Sequence, residues 1–288
     1  MISIIICSRE KKRVSQLKKN IQDTIGAEFE TIIIDNSENK HSITQAYNIG
    51  IDQSKFDYLC FIHEDIEFKT SNWGNILTSH IDKNPQGIVG VAGGQIATKA
   101  PSSWSFVPQA QRKNFMQCGK LNTFPKNNVY ETETAEVILL DGFFLSCKKE
   151  FITPIRFDDT MHGFHAYDAD ICLRSKANGG TNLVIYNLLI DHKSKGNPNR
   201  QWVESTKKTF EKWNHMLPIY TGTEKFNVSQ IEQKNMIRFI RRMIKNGCSY
   251  ADVVKDDFLS SLWKEINGGE TITLKCKTFF YLLLRWIL

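Results

Sequence analysis

The sequence predicts an α/β fold: a mostly parallel, doubly wound sheet flanked by helices, with a helical extension behind it. Three observations carry this reading. Residues 2–62 alternate apolar runs with helical periodicity in the order β, α, β, α, β. The runs are continuous and rich in β-branched residues, as strands buried on both faces are. After about Pro218 the pattern changes to amphipathic helices alone. The expected organisation is therefore a domain over 1–217 and an extension over 218–288.

Each element has its own warrant. Residues 2–7, Ile-Ser-Ile-Ile-Ile-Cys, form the first buried strand, and Ser8-Arg9 turns the chain. Val14, Leu17, Ile21 and Ile25 follow at helical spacing, with Lys and Arg on the other face. Residues 31–34 form the second strand, closed by Asp35-Asn36-Ser37. A helix over 43–53 turns Ala46, Tyr47 and Ile49 inward. The third strand, 57–62, runs straight into His63-Glu64-Asp65. Ser71 is the expected N-cap of a helix that carries Trp73, Ile76, Leu77 and Ile81 and stops before Pro85. Residues 87–94 are expected as a fourth strand.

From Gln95 to Thr134 periodicity is lost. Pro101, Pro108 and Pro125 lie among Trp104, Phe106, Phe115 and Phe124. So long an irregular stretch inside a compact domain reads as a lid or binding loop. Residues 137–147 are strand-like, interrupted by Asp141-Gly142. Residues 170–176 are helical and stopped by Gly179-Gly180. A strand over 183–189 leads into Asp191-His192, and 199–213 is a helix. Residues 230–246 and 251–266 are amphipathic helices, and 274–288 is an apolar, aromatic tail containing Arg285.

Hydrophobic content of 41% and charged content of 24% are ordinary for a soluble globular chain. A net charge of +6 suits an anionic partner as readily as it aids solubility. The seven cysteines include no C-x-x-C, and several lie inside apolar runs. That pattern excludes a disulfide frame or zinc finger and fits a reducing cytosol. The apolar N-terminus lacks a basic region and a cleavage site, so it reads as a strand and not as a signal peptide. No run reaches the roughly 18 apolar residues of a membrane span. A cytoplasmic protein is expected.

Candidate polar groups sit at strand ends: Asp35, His63-Glu64-Asp65, Asp141 and His192, with Asp168 opening a helix. In a doubly wound sheet such points converge on one rim, where ligands bind. A carboxylate with a neutral imidazole suits Mn²⁺ or Mg²⁺, and Asp65 and His192 are the expected metal ligands. Plainer readings stand beside these: an acidic turn after a strand, an exposed ring, an Asx-turn at Asp35. Asp168 and Asp170 could both be carboxylates favoured by a helix N-terminus. Neither G-x-G-x-x-G nor a Walker A loop occurs, so a phosphate would be held through metal.

Taken together, four stretches resemble the GT-A glycosyltransferases of the family 2 type, and more narrowly the group related to a streptomycin-biosynthesis protein. They are Ser3-Ile4-Ile5-Ile6-Cys7-Ser8, Ile32-Ile33-Ile34-Asp35-Asn36-Ser37, Phe61-Ile62-His63-Glu64-Asp65-Ile66, and His165-Ala166-Tyr167-Asp168-Ala169-Asp170-Ile171-Cys172-Leu173-Arg174. The resemblance covers residues 1–215. It implies a Rossmann-like GT-A fold and an inverting, metal-dependent hexosyl transfer of the kind used in polysaccharide biosynthesis. The donor implied is a nucleotide-diphosphate sugar, a UDP-sugar first among them. The acceptor implied is a hydroxyl of a glycan or lipid-linked molecule. By position Asp168 is the base, Asp65 and His192 hold the metal, and Ser8, Asp35, Glu64 and Asp141 contact the donor. Two positions depart from the pattern. His63 replaces the first Asp of the D-x-D metal motif, and Tyr167 replaces the Glu of a Glu-Asp pair.

Two other functions fit parts of the sequence. A nucleotidyltransferase would need a glycine-rich basic loop after the first strand, and Cys7-Ser8-Arg9-Glu10-Lys11-Lys12 is basic but lacks glycine. A non-catalytic nucleotide-sugar-binding module is suggested by His63 and Tyr167. No nucleic-acid partner is expected. The segment 230–288 reads as a helical cap on the domain or in a homodimer, or as a peripheral contact with the inner face of a membrane.

Overall fold

The computed structural model describes residues 1–124, 133–196, 198–267 and 272–283. The first elements are β1 (Ile2–Ser8), α1 (Lys11–Thr24), β2 (Phe29–Asp35), α2 (Ile43–Gln53), β3 (Tyr58–Ile62), β4 (Ile66–Phe68) and α3 (Trp73–Lys83). Next come β5 (Val89–Gly90), β6 (Ala92–Gly94), β7 (Ile96–Ala97), β8 (Gln111–Gln117), β9 (Lys120–Phe124), β10 (Thr134–Val137), β11 (Leu139–Leu140) and β12 (Phe144–Lys148). The chain continues through α4 (Lys149–Ile155), α5 (Tyr167–Ala177), β13 (Asn182–Ile185), β14 (Ile190–His192), α6 (Arg200–Lys212) and β15 (Ile219–Tyr220). Four helices follow: α7 (Val228–Lys245), α8 (Tyr250–Val254), α9 (Asp257–Asn267) and α10 (Ile272–Leu283).

The larger sheet has the order β10-β13-β5-β12-β3-β1-β2. β1 pairs in parallel with β2 and β3, so Ser8 lies opposite Asp35 and Ile6 opposite Ile62. Helices cover both faces. Ile2, Ile4 and Ile6 pack with Leu17, Ile21 and Trp73, whereas Ile5 packs with Ile43, Tyr47 and Ile51. β12 runs antiparallel to β3 and β5, and β10 antiparallel to β13. The sheet is thus less uniformly parallel than the sequence pattern suggests. β12 enters this sheet straight from β11, a strand of the other sheet, through residues 141–143, without the crossover helix that feeds a parallel strand.

A second sheet, β11-β6-β8-β14-β4 with β9 beside β8, packs at the rim of the first. It changes three expectations. The strand expected over 87–94 divides at Val91, with β5 in one sheet and β6 in the other. The stretch expected as an irregular lid contains the β8–β9 hairpin, with Phe115 opposite Asn122. Its residues 125–132, Pro125 included, lie outside the described residues. The residues expected as one strand over 183–189 form only the short β13, followed by the separate β14. One cap also moves. Asn72, in the left-handed region at φ 59°, and not Ser71, precedes α3.

Helices α7 to α10 share a core of Met236, Phe239, Ile240, Leu259, Leu262 and Trp263, which also takes in Ala100 and Val203 from the chain ahead of them. The amphipathic stretch 251–266 is two helices, because Asp256 breaks it and accepts a hydrogen bond from Leu259 N at 2.9 Å. α10 packs on α7 and α8, burying Leu274, Thr278 and Tyr281. The last tail residues, 284–288, lie outside the described residues. Among the described residues no helix is long and apolar enough to cross a membrane.

Candidate active site

β3 delivers His63, whose backbone N–H donates to Phe143 O at 3.1 Å. Three residues on, β4 begins; it pairs antiparallel with β14 and places His192 opposite Ile66. That pairing brings His192, far away in sequence, to Asp65. His192 Nε2 is 3.5 Å and His63 Nδ1 is 3.9 Å from Asp65 Oδ1. One ligand atom from each of His63, Asp65 and His192 lies within 4.8 Å of the others. Phe143 stacks on the His192 ring at 4.7 Å and holds its plane.

The sequence reading expected Asp65 and His192 here and left His63 unexplained. The structure puts His63 beside them as a third potential ligand atom. Its imidazole is itself a metal-binding type, which is the signal the sequence held. The second departure, Tyr167, meets the first. Tyr167 Oη lies 2.7 Å from His63 Nε2 and donates to Gly142 O at 3.0 Å. With the tyrosyl proton on Gly142, Nε2–H of His63 donates to the hydroxyl, and the Nδ1 lone pair faces Asp65. Two nitrogens and a carboxylate oxygen form a donor set that suits a divalent transition metal such as Mn²⁺.

The electrostatics agree with this grouping. Burial raises the Asp65 carboxyl, but hydrogen bonds from His192 and Ser194 and the adjoining imidazoles outweigh it and hold Asp65 well below the usual carboxylate range. Burial lowers the His192 imidazole, but the hydrogen bond to Asp65 and nearby carboxylates raise it overall.

A cavity of about 490 Å³ adjoins these groups, lined by His63, His192, Asp141, Asp168, Trp104 and Trp202 among others. Asp168 opens α5 and accepts hydrogen bonds from Gly142 N at 3.2 Å and Ala169 N at 2.9 Å. Burial first and the Asp141 charge second push its carboxyl up to about 7. Asp141 accepts from Trp104 Nε1 at 2.8 Å. A Cβ on Gly142 would come within 2.3 Å of Tyr167 Oη and 3.0 Å of Asp168 Cβ, so only glycine lets α5 approach this turn. The segment expected to be a lid does line the cavity, through Trp104, Phe106 and Phe115.

Asp170, the partner of Asp168 in the sequence pattern, has a different place. It is buried and accepts from Trp213 Nε1 and Lys212 Nζ, both at 2.7 Å, and from Arg174 at 3.2 Å. It fastens α6 to α5.

The remaining expected donor contacts lie along the ends of β1, β2 and β3. Ser8 Oγ donates to Glu64 at 2.8 Å, and the N–H groups of Arg9 and Glu10 donate to the same carboxylate at 3.1 Å. Glu64 thereby satisfies the start of α1, where the Glu10 side chain makes no cap. Asp35 is exposed and accepts from Ser37 N at 3.0 Å, a bond that lowers its carboxyl pKa. This is the Asx-turn geometry. Glu64 and Asp65 also line a second cavity, about 640 Å³, with Arg13 and Lys193.

The sequence matches a glycosyltransferase-like family over residues 3–220. The chain belongs to that family. Solved structures agree in fold. S. aureus TarS, residues 1–349, aligns with a TM-score of 0.56 at 11% identity over 99% of this chain and 88% of that one. A structure of the same TarS segment in complex with UDP-GlcNAc aligns with a TM-score of 0.56 at 10% identity, covering 99% of this chain and 89% of that one. GalNAc-T7 with UDP, GalNAc and Mn²⁺ aligns with a TM-score of 0.51 at 12% identity, covering 98% of this chain; this chain spans 55% of that one. These likenesses establish the GT-A fold. No curated protein matches the sequence.

Proposed function

We infer that this glycosyltransferase moves a sugar from a nucleoside-diphosphate sugar to an acceptor hydroxyl with inversion, using Asp168 as base. The observation that carries this is Asp168, raised to about 7, in the same cavity as His63 and His192 of the metal-competent cluster. The TarS complex with UDP-GlcNAc and the GalNAc-T7 complex with UDP and Mn²⁺ support a UDP-sugar donor and a metal.

His63, Asp65 and His192 would hold a divalent cation, which as a Lewis acid neutralises the charge of the departing diphosphate. Asp168 takes the proton from the acceptor hydroxyl as that oxygen attacks the anomeric carbon, and a base near neutrality suits the task. Asp141, fixed by Trp104, orients sugar hydroxyls. Asp35 at the end of β2 meets the nucleoside. Glu64 and Ser8 act through the start of α1, which they hold beside Asp65. The acceptor is a glycan or lipid-linked hydroxyl.

The test is transfer from UDP-sugars with and without Mn²⁺, comparing the wild type with Asp168→Asn and Asp65→Ala. Transfer that survives EDTA and Asp65→Ala would remove the metal from the reading. Near-normal transfer by Asp168→Asn would remove the base.

A further inference from the structure

The helical extension reaches the cavity. Arg242 of α7 is among its lining residues, together with Trp202 and Thr206 of α6. Its guanidinium lies 5.6 Å from the Trp202 ring and 5.9 Å from the Phe106 ring. Arg238, one turn earlier on α7, sits over the same Phe106 ring at 4.3 Å and donates to Phe106 O at 2.9 Å. Among the described residues neither arginine has a carboxylate partner. Their neighbours differ. Lys207 pairs with Asp256, Arg200 with Glu204, and Lys99 with Glu265. Arg241, between the two, turns away onto Tyr281 at 4.7 Å.

Like charges four residues apart on a helix repel and lower its stability. Two such guanidinium groups, held on one aromatic ring beside a catalytic cavity and without carboxylates, are built to meet an anion. In the proposed reading the donor diphosphate does not answer this need, because the cation that His63, Asp65 and His192 would hold supplies its counter-charge. The half-buried Trp202 ring in the cavity lining offers a stacking surface to a sugar ring. Guanidinium forks match the oxygens of phosphate and carboxylate in pairs.

We propose that the acceptor is an anionic saccharide, bearing a phosphate ester or a carboxylate near the reacting hydroxyl, and that Arg242 holds that group at the wall of the cavity, with Arg238 behind it on the same Phe106 ring adding to the positive charge. This rests on the glycosyl-transfer reading and names its acceptor class. The extension is then part of the acceptor site, and the charge it contributes selects the substrate.

The test uses binding, so that it does not depend on turnover. Ligand-observed NMR on the full chain in EDTA compares three probes: methyl glucoside, glucose 6-phosphate and glucuronic acid. Charge-assisted hydrogen bonds of this kind are expected to favour the two anionic probes by about ten-fold. Salt should reduce that preference. Arg242→Gln with Arg238→Gln should abolish it, whereas Arg242→Lys should keep part of it and guards against a variant that merely fails to fold. Equal binding of neutral and anionic probes would overturn the proposal, as would a preference that persists in the double variant. A phosphate-only or carboxylate-only preference supports it and narrows the class. Failure of the glycosyl-transfer reading would show separately, as absence of UDP-sugar turnover by a protein that still prefers the anionic probes.

Discussion

At the scale of single residues, Asp168 combines a cost with a function. Its folded-state pKa of about 7 lies above the roughly 3.9 of an unfolded aspartate, so the folded chain holds this proton more tightly. Stability from this group is therefore greatest at low pH and falls as pH rises from about 4 to about 7. In the proposed mechanism activity runs the other way, since only the ionised carboxylate can accept a proton. We expect kcat/KM to climb to a plateau above pH of about 7. Asp168→Asn should lower transfer by about 10²–10⁴-fold. In melting experiments at pH 8 it should raise the transition by about 2–4 °C per kcal/mol of relieved strain, with the gain disappearing toward pH 4. A variant less stable at pH 8 would contradict this account. Tyr167 makes a second residue-scale case. If its hydroxyl fixes the His63 tautomer, Tyr167→Phe should weaken Mn²⁺ binding by about ten-fold in calorimetry, an effect of the size outer-shell partners produce. Unchanged affinity would mean that His63 presents Nδ1 without help.

At the scale of elements, the legible and illegible parts of the sequence separate by the range of the contacts that make them. β1, α1, β2, α2 and β3 were readable because each is an unbroken local pattern in a sheet covered on both faces. The second sheet was not, because most of its strands are only two or three residues long and find partners from distant segments. The β4–β14 pairing, which joins His192 to Asp65, is of this kind. The polar strand ends were readable as candidates, and the placing of Asp65, His192, Asp141 and Asp168 together follows that reading. The imidazole of His63 was readable as a metal-binding type, but its orientation was not, because that depends on a hydroxyl supplied by α5. The difference between Asp168 and Asp170 also needed the fold, since both open the same helix and only one turns toward α6. Asp170→Asn should remove a buried, charge-assisted network between α5 and α6 and cost about 2–3 kcal/mol. The resulting drop in melting temperature, about 4–12 °C, is measurable by calorimetry. A variant that melts like the wild type would show that Asp158, which already pairs with both Lys212 and Arg174, suffices to hold them.

At the scale of the whole molecule, the extension is joined to the catalytic part by more than apolar packing. Glu232 on α7 is buried, and its carboxylate accepts from Lys99 N at 2.6 Å and Ala100 N at 2.9 Å. Asn235 adds a bond to Thr98 Oγ1 at 3.0 Å. These ties fix the backbone just ahead of Ser102, Ser103, Trp104, Ser105 and Phe106, which line the cavity. One carboxylate on a helix outside the family match thus holds the stretch that carries the Trp104 bond to Asp141 and the aromatic ring beneath Arg238 and Arg242. Glu232→Ala would leave the buried Ala100 N–H without a partner, at about 1–3 kcal/mol, and the partly buried Lys99 N–H as well. It should therefore lower the melting temperature, and it should also loosen the cavity wall while leaving the histidine–aspartate cluster on β3, β4 and β14 in place. The expected kinetic signature is a rise in acceptor KM that exceeds any rise in donor KM. Steady-state transfer assays with each substrate varied in turn would measure it. Equal rises in both constants would instead mean that the extension stabilises the whole molecule without shaping the acceptor side of the cavity.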